Sequence, residues 1–189
     1  MAAPGEGSQV CEDPVRGSGS VIETPRLRLR RLRPSDEGDL IALDSDPEVM
    51  RHVGSPAGTR PADETAARVR QRIAEDQAPL GFWLVESRAG VAHGLCALLR
   101  MPAGDDIELA YRLARDSWGQ GIATEAARAL VGHAFGALRL PRLVAVTYPD
   151  NLASQRVLEK VGFTQRGFVD YTGVRVVHYV ITPEALGVS

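Results

Sequence analysis

The spacing of apolar and polar positions changes period several times along this chain, and each change marks an element. Arg26-Leu27-Arg28-Leu29-Arg30 alternates strictly, the period of a half-buried strand. Pro34-Ser35-Asp36 predicts a helix start with Ser or Asp as N-cap, and Leu40, Ile41 and Leu43 supply its apolar side. Ala66, Val69 and Ile73 stand at helical spacing within Asp63 to Asp76. Gly81 to Ser87 and Val91 to Arg100 read as strands around Arg88-Ala89-Gly90, and Ile107 to Leu113 follows a turn at Pro102 to Asp106. From Thr124 to Leu138, Ala127, Leu130, Val131, Ala134, Phe135 and Leu138 form the stripe of a helix packed on a sheet. Leu143 to Thr147 is continuously apolar and suits a sheet centre. Asp150 or Asn151 can cap a helix from Leu152 to Lys160, with Gly162 at its C′ position. Two last strands, Thr164 to Tyr171 and Arg175 to Ile181, join through Thr172-Gly173. The order β-α-α-β-β-β-α-β-α-β-β predicts one mixed α/β domain over 21–189. Residues 1–20 are rich in Gly, Ser, Pro and Ala, a composition that predicts a disordered tail.

Between the strand ending at Leu113 and the helix beginning near Thr124 lies Trp118-Gly119-Gln120-Gly121-Ile122-Ala123-Thr124-Glu125-Ala126. Two glycines there allow a tight turn and close approach of a ligand. Successive free N–H groups in such a turn, with the first helical turn behind them, hold an anion. Phosphate is the expected ligand. A G-x-x-x-x-G-K-S/T loop is excluded because no lysine follows the glycines, and a G-x-G-x-x-G fingerprint fails because Thr124 stands at its third glycine.

Bulk properties narrow the picture. A formal net charge of −2 argues against a nucleic-acid protein driven by charge. Lys160 is the single lysine, which leaves little room for Schiff-base chemistry. Cys11 and Cys96 make neither a disulfide framework nor a metal cluster, and Cys96 reads as a buried apolar residue. His52, His93, His133 and His178 lack metal-like spacing and read as structural or surface residues, with His52, in the loop after the acidic helix, as the one candidate to touch an acceptor. No metal site is expected. Pro34 to Met50 carries Asp36, Glu37, Asp39, Asp44, Asp46 and Glu48 without a base: a solvated helix face, or an acidic wall for a cationic substrate. The arginines of the first strand read as a solvated face. Of Phe82 and Trp83, one faces the core. No run is long enough to span a membrane and no secretory leader is recognisable, which predicts a cytoplasmic protein.

Three stretches in this order resemble the GNAT superfamily of acetyl-CoA-dependent N-acetyltransferases, and within it the RimJ/RimL branch. They are Glu23-Thr24-Pro25-Arg26-Leu27-Arg28-Leu29-Arg30 with Asp46-Pro47-Glu48-Val49-Met50; Glu108 to Leu113 followed by Trp118 to Ala126; and Asn151-Leu152-Ala153-Ser154-Gln155-Arg156-Val157-Leu158-Glu159-Lys160-Val161-Gly162-Phe163. The resemblance runs from about Ile22 to Leu186. It implies a central, mostly antiparallel sheet of six to seven strands, splayed between the fourth and fifth, with about four flanking helices. The superfamily pattern Gln/Arg-x-x-Gly-x-Gly/Ala maps onto Trp118 to Ala123, with Gly121 and Ala123 matching and Trp118 departing in the manner of the branch.

The resemblance assigns roles. The backbone of Trp118, Gly119, Gln120, Gly121, Ile122, Ala123 and Thr124 binds the pyrophosphate of coenzyme A. The pantetheine arm enters the splay beside Tyr111, Arg112 and Leu113, with Asn151 as a further contact. Glu108 is the expected general base. Many members protonate the leaving thiolate with a tyrosine seven residues after the asparagine; here that position is Leu158. In the RimJ/RimL branch a serine three residues after the asparagine holds the thiolate, and Ser154 occupies that position. The implied reaction is direct acetyl transfer to a primary amine, most simply a protein or peptide α-amino group, by a monomer or homodimer. Acetylation of a small amine (polyamine, amino acid or aminoglycoside) and acyl-CoA sensing without catalysis are the alternatives.

Overall fold

A computed structural model describes residues 21–54, 58–75 and 79–187. The expected disordered tail, with Cys11, lies outside them. The strands are β1 (Ile22–Glu23), β2 (Leu27–Arg31), β3 (Gly81–Ser87), β4 (Ala92–Arg100), β5 (Ile107–Leu113), β6 (Leu143–Thr147), β7 (Thr164–Tyr171) and β8 (Val174–Ile181). The helices are α1 (Glu37–Ser45), α2 (Pro47–Met50), α3 (Ala62–Ala74), α4 (Ile122–Gly136) and α5 (Leu152–Val161). They build one eight-stranded sheet in the order β1-β2-β3-β4-β5-β6-β8-β7. The fold class expected from sequence holds. The eighth strand is the two-residue β1, and the fifth helix is the single turn α2, capped by Asp46, which accepts from the N–H of Glu48. Both are too short for a periodicity to register.

Neighbouring strands pair antiparallel except β5 and β6, which are parallel and meet in one register pair, Glu108↔Val144. The expected splay therefore lies where the resemblance put it, and it opens from Glu108. β5 pairs with β4 without a register shift, so its side chains alternate regularly between the two faces. On one face Ile107, Leu109 and Leu113 join Leu130, Val131 and Phe135 of α4 and Leu158 and Val161 of α5 in the main core. On the other, Leu84 and Leu95 pack with Leu40 and Leu43 of α1, Val49 of α2 and Val69 of α3. Trp83 is a core residue, whereas Phe82 is half-buried beneath the Arg72 guanidinium, 4.2 Å from the ring centroid. Cys96 is fully buried, which pushes its thiol up to about 12.

The polar runs are less solvated than their composition implied. Arg30 pairs with Asp36 at 2.8 Å and Glu86 at 2.9 Å, and its side chain is only 11% exposed. Asp44 is fully buried against Arg112 at 2.8 Å and Arg60 at 3.5 Å. Glu37 pairs with Arg70 at 3.0 Å. Three of the six acids, Asp36, Glu37 and Asp44, are thus paired with arginines from β2, α3, β5 and the segment before α3, while Asp39 and Glu48 are exposed and Asp46 half-buried. For Glu37 and Asp44 the counter-ions come from distant positions, invisible to a local reading.

Candidate active site

The turn before α4 is built by its glycines. Gly119 and Gly121 have φ of 73° and 76°, a region that other residues enter at a cost of roughly 1–2 kcal/mol. Gly121 is the N-cap, so the helix starts at Ile122, two residues before the position expected from sequence. On either side, the Trp118 N–H donates to Arg115 O and the Glu125 N–H to Gly121 O. Among the described residues, the N–H groups between them, from Gly119 to Thr124, have no turn or cap partner. Residues 118 to 121 are exposed. A run of unengaged donors at the positive end of a fifteen-residue helix fits a diphosphate. Ile122 itself is buried, and Ala123 and Thr124 are half-buried, so from Ile122 on the backbone rather than the side chain is what the turn offers. The Gln120 side chain is bound to Asp116 O. Trp118 is half-exposed and its indole Nε1 donates to Leu113 O at 2.8 Å. That bond occupies the Leu113 carbonyl and ties the turn to the end of β5.

Behind the turn, the α4/α5 face of the splay carries Tyr111, Asn151 and Ser154. Asn151 caps α5, its Oδ1 accepting from the Ser154 N–H at 3.1 Å. That cap holds Ser154 in the first turn, where the Tyr111 hydroxyl lies 3.0 Å from its Oγ and 3.2 Å from its carbonyl oxygen. Burial pushes the Tyr111 phenol well above its usual range, and the Ser154 contact offsets this only in part. Tyr111 thus donates rather than ionises. Leu158, at the position where the resemblance points to a tyrosine, is 1% exposed and belongs to the core.

The opposite face carries Glu108 and Arg112. Arg112 turns toward α1 and Asp44, so only its backbone borders the splay. Glu108 is 7% exposed. The Tyr171 hydroxyl donates to its Oε2 at 2.9 Å. Burial pushes the Glu108 carboxyl above the usual carboxylate range, and the Tyr171 bond pulls it partly back. Tyr171 comes from the end of β7, where Thr172 (φ 51°) and Gly173 (φ 84°) make the two-residue turn to β8. Sequence reasoning missed Tyr171; the Thr172-Gly173 turn was legible, but not which strand its tip would reach. Glu108 and Ser154 therefore stand on opposite faces of the splay between β5 and β6. At the C-terminal end of β6, the Tyr148 hydroxyl donates to Gly54 O at 2.8 Å and His52 Nε2 lies 3.2 Å from Asp150 Oδ2. These contacts join the segment after α2 to the loop before α5. His93 and His133 serve elsewhere, on Ser117 Oγ and the edge of Trp83. Among the described residues no group of His, Cys, Asp and Glu is placed to hold a metal ion, and no helix is long and apolar enough to cross a membrane.

The chain is similar to known proteins in sequence and in fold. A family model described as an acetyltransferase (GNAT) domain matches residues 26–164. The uncharacterized N-acetyltransferase YoaA of Bacillus subtilis is 30% identical over 155 residues, 78% of this chain and 84% of the relative. The FsC-acetyl coenzyme A-N(2)-transacetylase of Aspergillus fumigatus is 32% identical over 155 residues, 76% of this chain and 64% of the relative. Among solved structures, the ribosomal L7/L12 alpha-N-protein acetyltransferase RimL in complex with coenzyme A superposes with a TM-score of 0.74 at 21% identity, covering 88% of this chain and 99% of that one. The matched span holds the glycine turn, Glu108, Tyr111 and Ser154, while Tyr171 lies beyond it; the chain belongs to the GNAT family of acetyl-CoA-dependent N-acetyltransferases.

Proposed function

We propose that the acceptor is the α-amino group of a peptide or protein, as in the RimJ/RimL branch, and that Glu108, Ser154 and the 119–124 backbone carry the transfer. The observation that supports this most is the single Glu108↔Val144 pair, which opens the sheet directly beside the candidate base. Bound acetyl-CoA supplies the acyl group as a thioester. Gly119 to Thr124 hold the diphosphate through their N–H groups, each charge-assisted bond contributing about 1.5–3 kcal/mol. Glu108 takes the proton that the amine loses as the new C–N bond forms, directly or through one water. Its pKa, raised by burial, suits that task, because the shift makes it a stronger proton acceptor than an ordinary carboxylate. Ser154 Oγ–H faces the sulfur as the C–S bond breaks, and Tyr111 fixes the Ser154 rotamer. A backbone N–H of the 111–113 segment stabilises the thioester oxygen.

A small-molecule amine is the second reading, favoured by the 32% identity to the FsC-acetyl coenzyme A-N(2)-transacetylase. Pairing of Asp36, Glu37 and Asp44 leaves Asp39, Asp46 and Glu48 to attract a cationic acceptor, which does not discriminate between a peptide amine and a small amine. An acceptor screen with thiol detection, run on N-terminal peptides and small amines side by side, decides between the two. The peptide reading expects the higher kcat/KM on peptides and fails if only small amines release thiol. Gly121→Asp places a carboxylate at a positive φ against the diphosphate and should abolish coenzyme A binding by calorimetry.

A further inference from the structure

We infer that Arg26 is a positioning residue of the diphosphate site, which it serves by orienting the Gln120–Gly121 peptide and by cancelling the charge of Glu125. The inference rests on the reading of the glycine turn as the coenzyme A grip.

Glu125 is a carboxylate in the first turn of α4, beside the place an anionic ligand must occupy. Left alone it would repel that ligand. Its Oε1 accepts from Thr24 Oγ1 at 2.6 Å and from the Arg26 N–H at 3.0 Å, and its Oε2 accepts from Arg26 Nε at 2.6 Å. Burial raises this carboxyl, but the Thr24 and Arg26 bonds outweigh it and hold it below its usual range. Glu125 is therefore ionised and paired, and its charge is matched by a guanidinium from β1–β2, about a hundred residues away in sequence (99 positions).

The same guanidinium reaches the turn itself. Arg26 Nη1 donates to Gln120 O at 3.0 Å. In a trans peptide the C=O and the following N–H point in opposite directions. A Gln120 carbonyl held toward Arg26 thus turns the Gly121 N–H to the other side of the turn. Gly119 and Gly121 both lie at positive φ, where a peptide flanked by glycine flips at little cost. The Arg26 bond selects one orientation before the ligand arrives, and preorganised donors bind more tightly than donors that must be ordered. Arg26 Nη2 lies 3.5 Å from the point where a Gly121 Cβ would stand, and the side chain is 52% exposed, so the cation sits at the rim of the donor run.

The alternative is a purely structural clamp between the β1–β2 turn and α4. Donors with and without the diphosphate separate the two. With one amine acceptor held fixed, kcat/KM is measured for acetyl-CoA and for S-acetylpantetheine on wild type, Arg26→Gln and Arg26→Lys, with coenzyme A affinity by calorimetry. Arg26→Gln should lower kcat/KM for acetyl-CoA about 10- to 100-fold, the span of one charge-assisted hydrogen bond, and raise the coenzyme A Kd in parallel. Activity on S-acetylpantetheine should stay at the wild-type level, which also certifies the fold. Arg26→Lys should recover little, because an ammonium cannot span Glu125 and Gln120 with a planar fork. Equal losses on both donors, or an unchanged coenzyme A Kd, overturn the inference. A wild-type enzyme without preference for acetyl-CoA over S-acetylpantetheine would overturn the diphosphate reading itself, and the role of Arg26 with it.

Discussion

The hydroxyl of Tyr171, at the tip of the β7–β8 hairpin, donates a 2.9 Å hydrogen bond to Oε2 of Glu108 on β5. Two opposed effects meet at that carboxyl: burial raises its pKa and the phenol lowers it. Tyr171→Phe removes only the second. The acidic limb of kcat/KM should then move to higher pH by roughly 1–2 units, since a hydrogen bond to a charged group contributes about 1.5–3 kcal/mol and one unit corresponds to about 1.4 kcal/mol. Activity on the alkaline side of the limb should change less. pH–rate profiles of the two proteins make the check, and a limb that does not move removes Tyr171 from the proton chemistry.

Glu108→Gln should eliminate the limb and lower kcat by about 10²- to 10⁴-fold, the usual reach of general-base catalysis. It should also stabilise the protein. A carboxyl whose folded pKa is raised contributes its stability fully below the unfolded pKa and loses it as pH rises through the folded value. Glutamine carries no charge to bury. The Tm of Glu108→Gln should therefore exceed that of wild type at neutral and alkaline pH, with the gap closing under acid. Scanning calorimetry across pH reads this directly, and a gap that is constant with pH would mean Glu108 is not the group responsible.

Strands β3, β5, β6 and β7 fall on the residues expected from alternation and turn chemistry, because those signals are local. The Asn151 cap and the Gly162 C-cap, with φ of 110° and bonds to Leu158 O and Glu159 O, were equally legible. What escaped is long-range. Nothing near Tyr171 says that its hairpin tip meets Glu108. Nothing near Asp44 says that Arg60 and Arg112 close on it, so a carboxylate read as solvated or substrate-facing is buried and paired, while Asp39 and Glu48 of the same run stay exposed. The glycine turn declared an anion site, while the Arg26 bonds to it became visible only once β1 and β2 were placed against α4.

Ser154 and Tyr111 form a pair whose loss should act on turnover. If the Tyr111 phenol donates to Ser154 Oγ, the serine's own proton is free to face the departing sulfur. Ser154→Ala should lower kcat by about 10-fold or more while the acetyl-CoA KM changes less, the pattern of an interaction made in the transition state. Tyr111→Phe keeps the ring and its packing and should reproduce a smaller part of the kcat loss. The double variant should lose little beyond Ser154→Ala, because both act through one hydroxyl. Steady-state kinetics on the three proteins test this, and additive losses would separate the two residues.

Asp44 ties α1 to the sheet. It is fully buried, its carboxylate lies 2.8 Å from Arg112 and 3.5 Å from Arg60, and its carbonyl accepts from the Arg60 N–H at 3.1 Å. Asp44→Asn leaves the Arg112 guanidinium in a buried site without its counter-ion. Removing one partner of a buried ion pair costs about 3–5 kcal/mol, far more than the pair contributes against an apolar replacement. Urea denaturation should show that loss, with an unchanged m-value if the folded state is intact. Adding Arg112→Met to Asp44→Leu should restore part of it, since the Arg112 charge is gone and Arg60 keeps its second partner, Glu64, at 3.8 Å. If instead Asp44→Asn is as stable as wild type and raises the KM of cationic amines alone, the carboxylate faces substrate rather than Arg112 and takes part in acceptor binding.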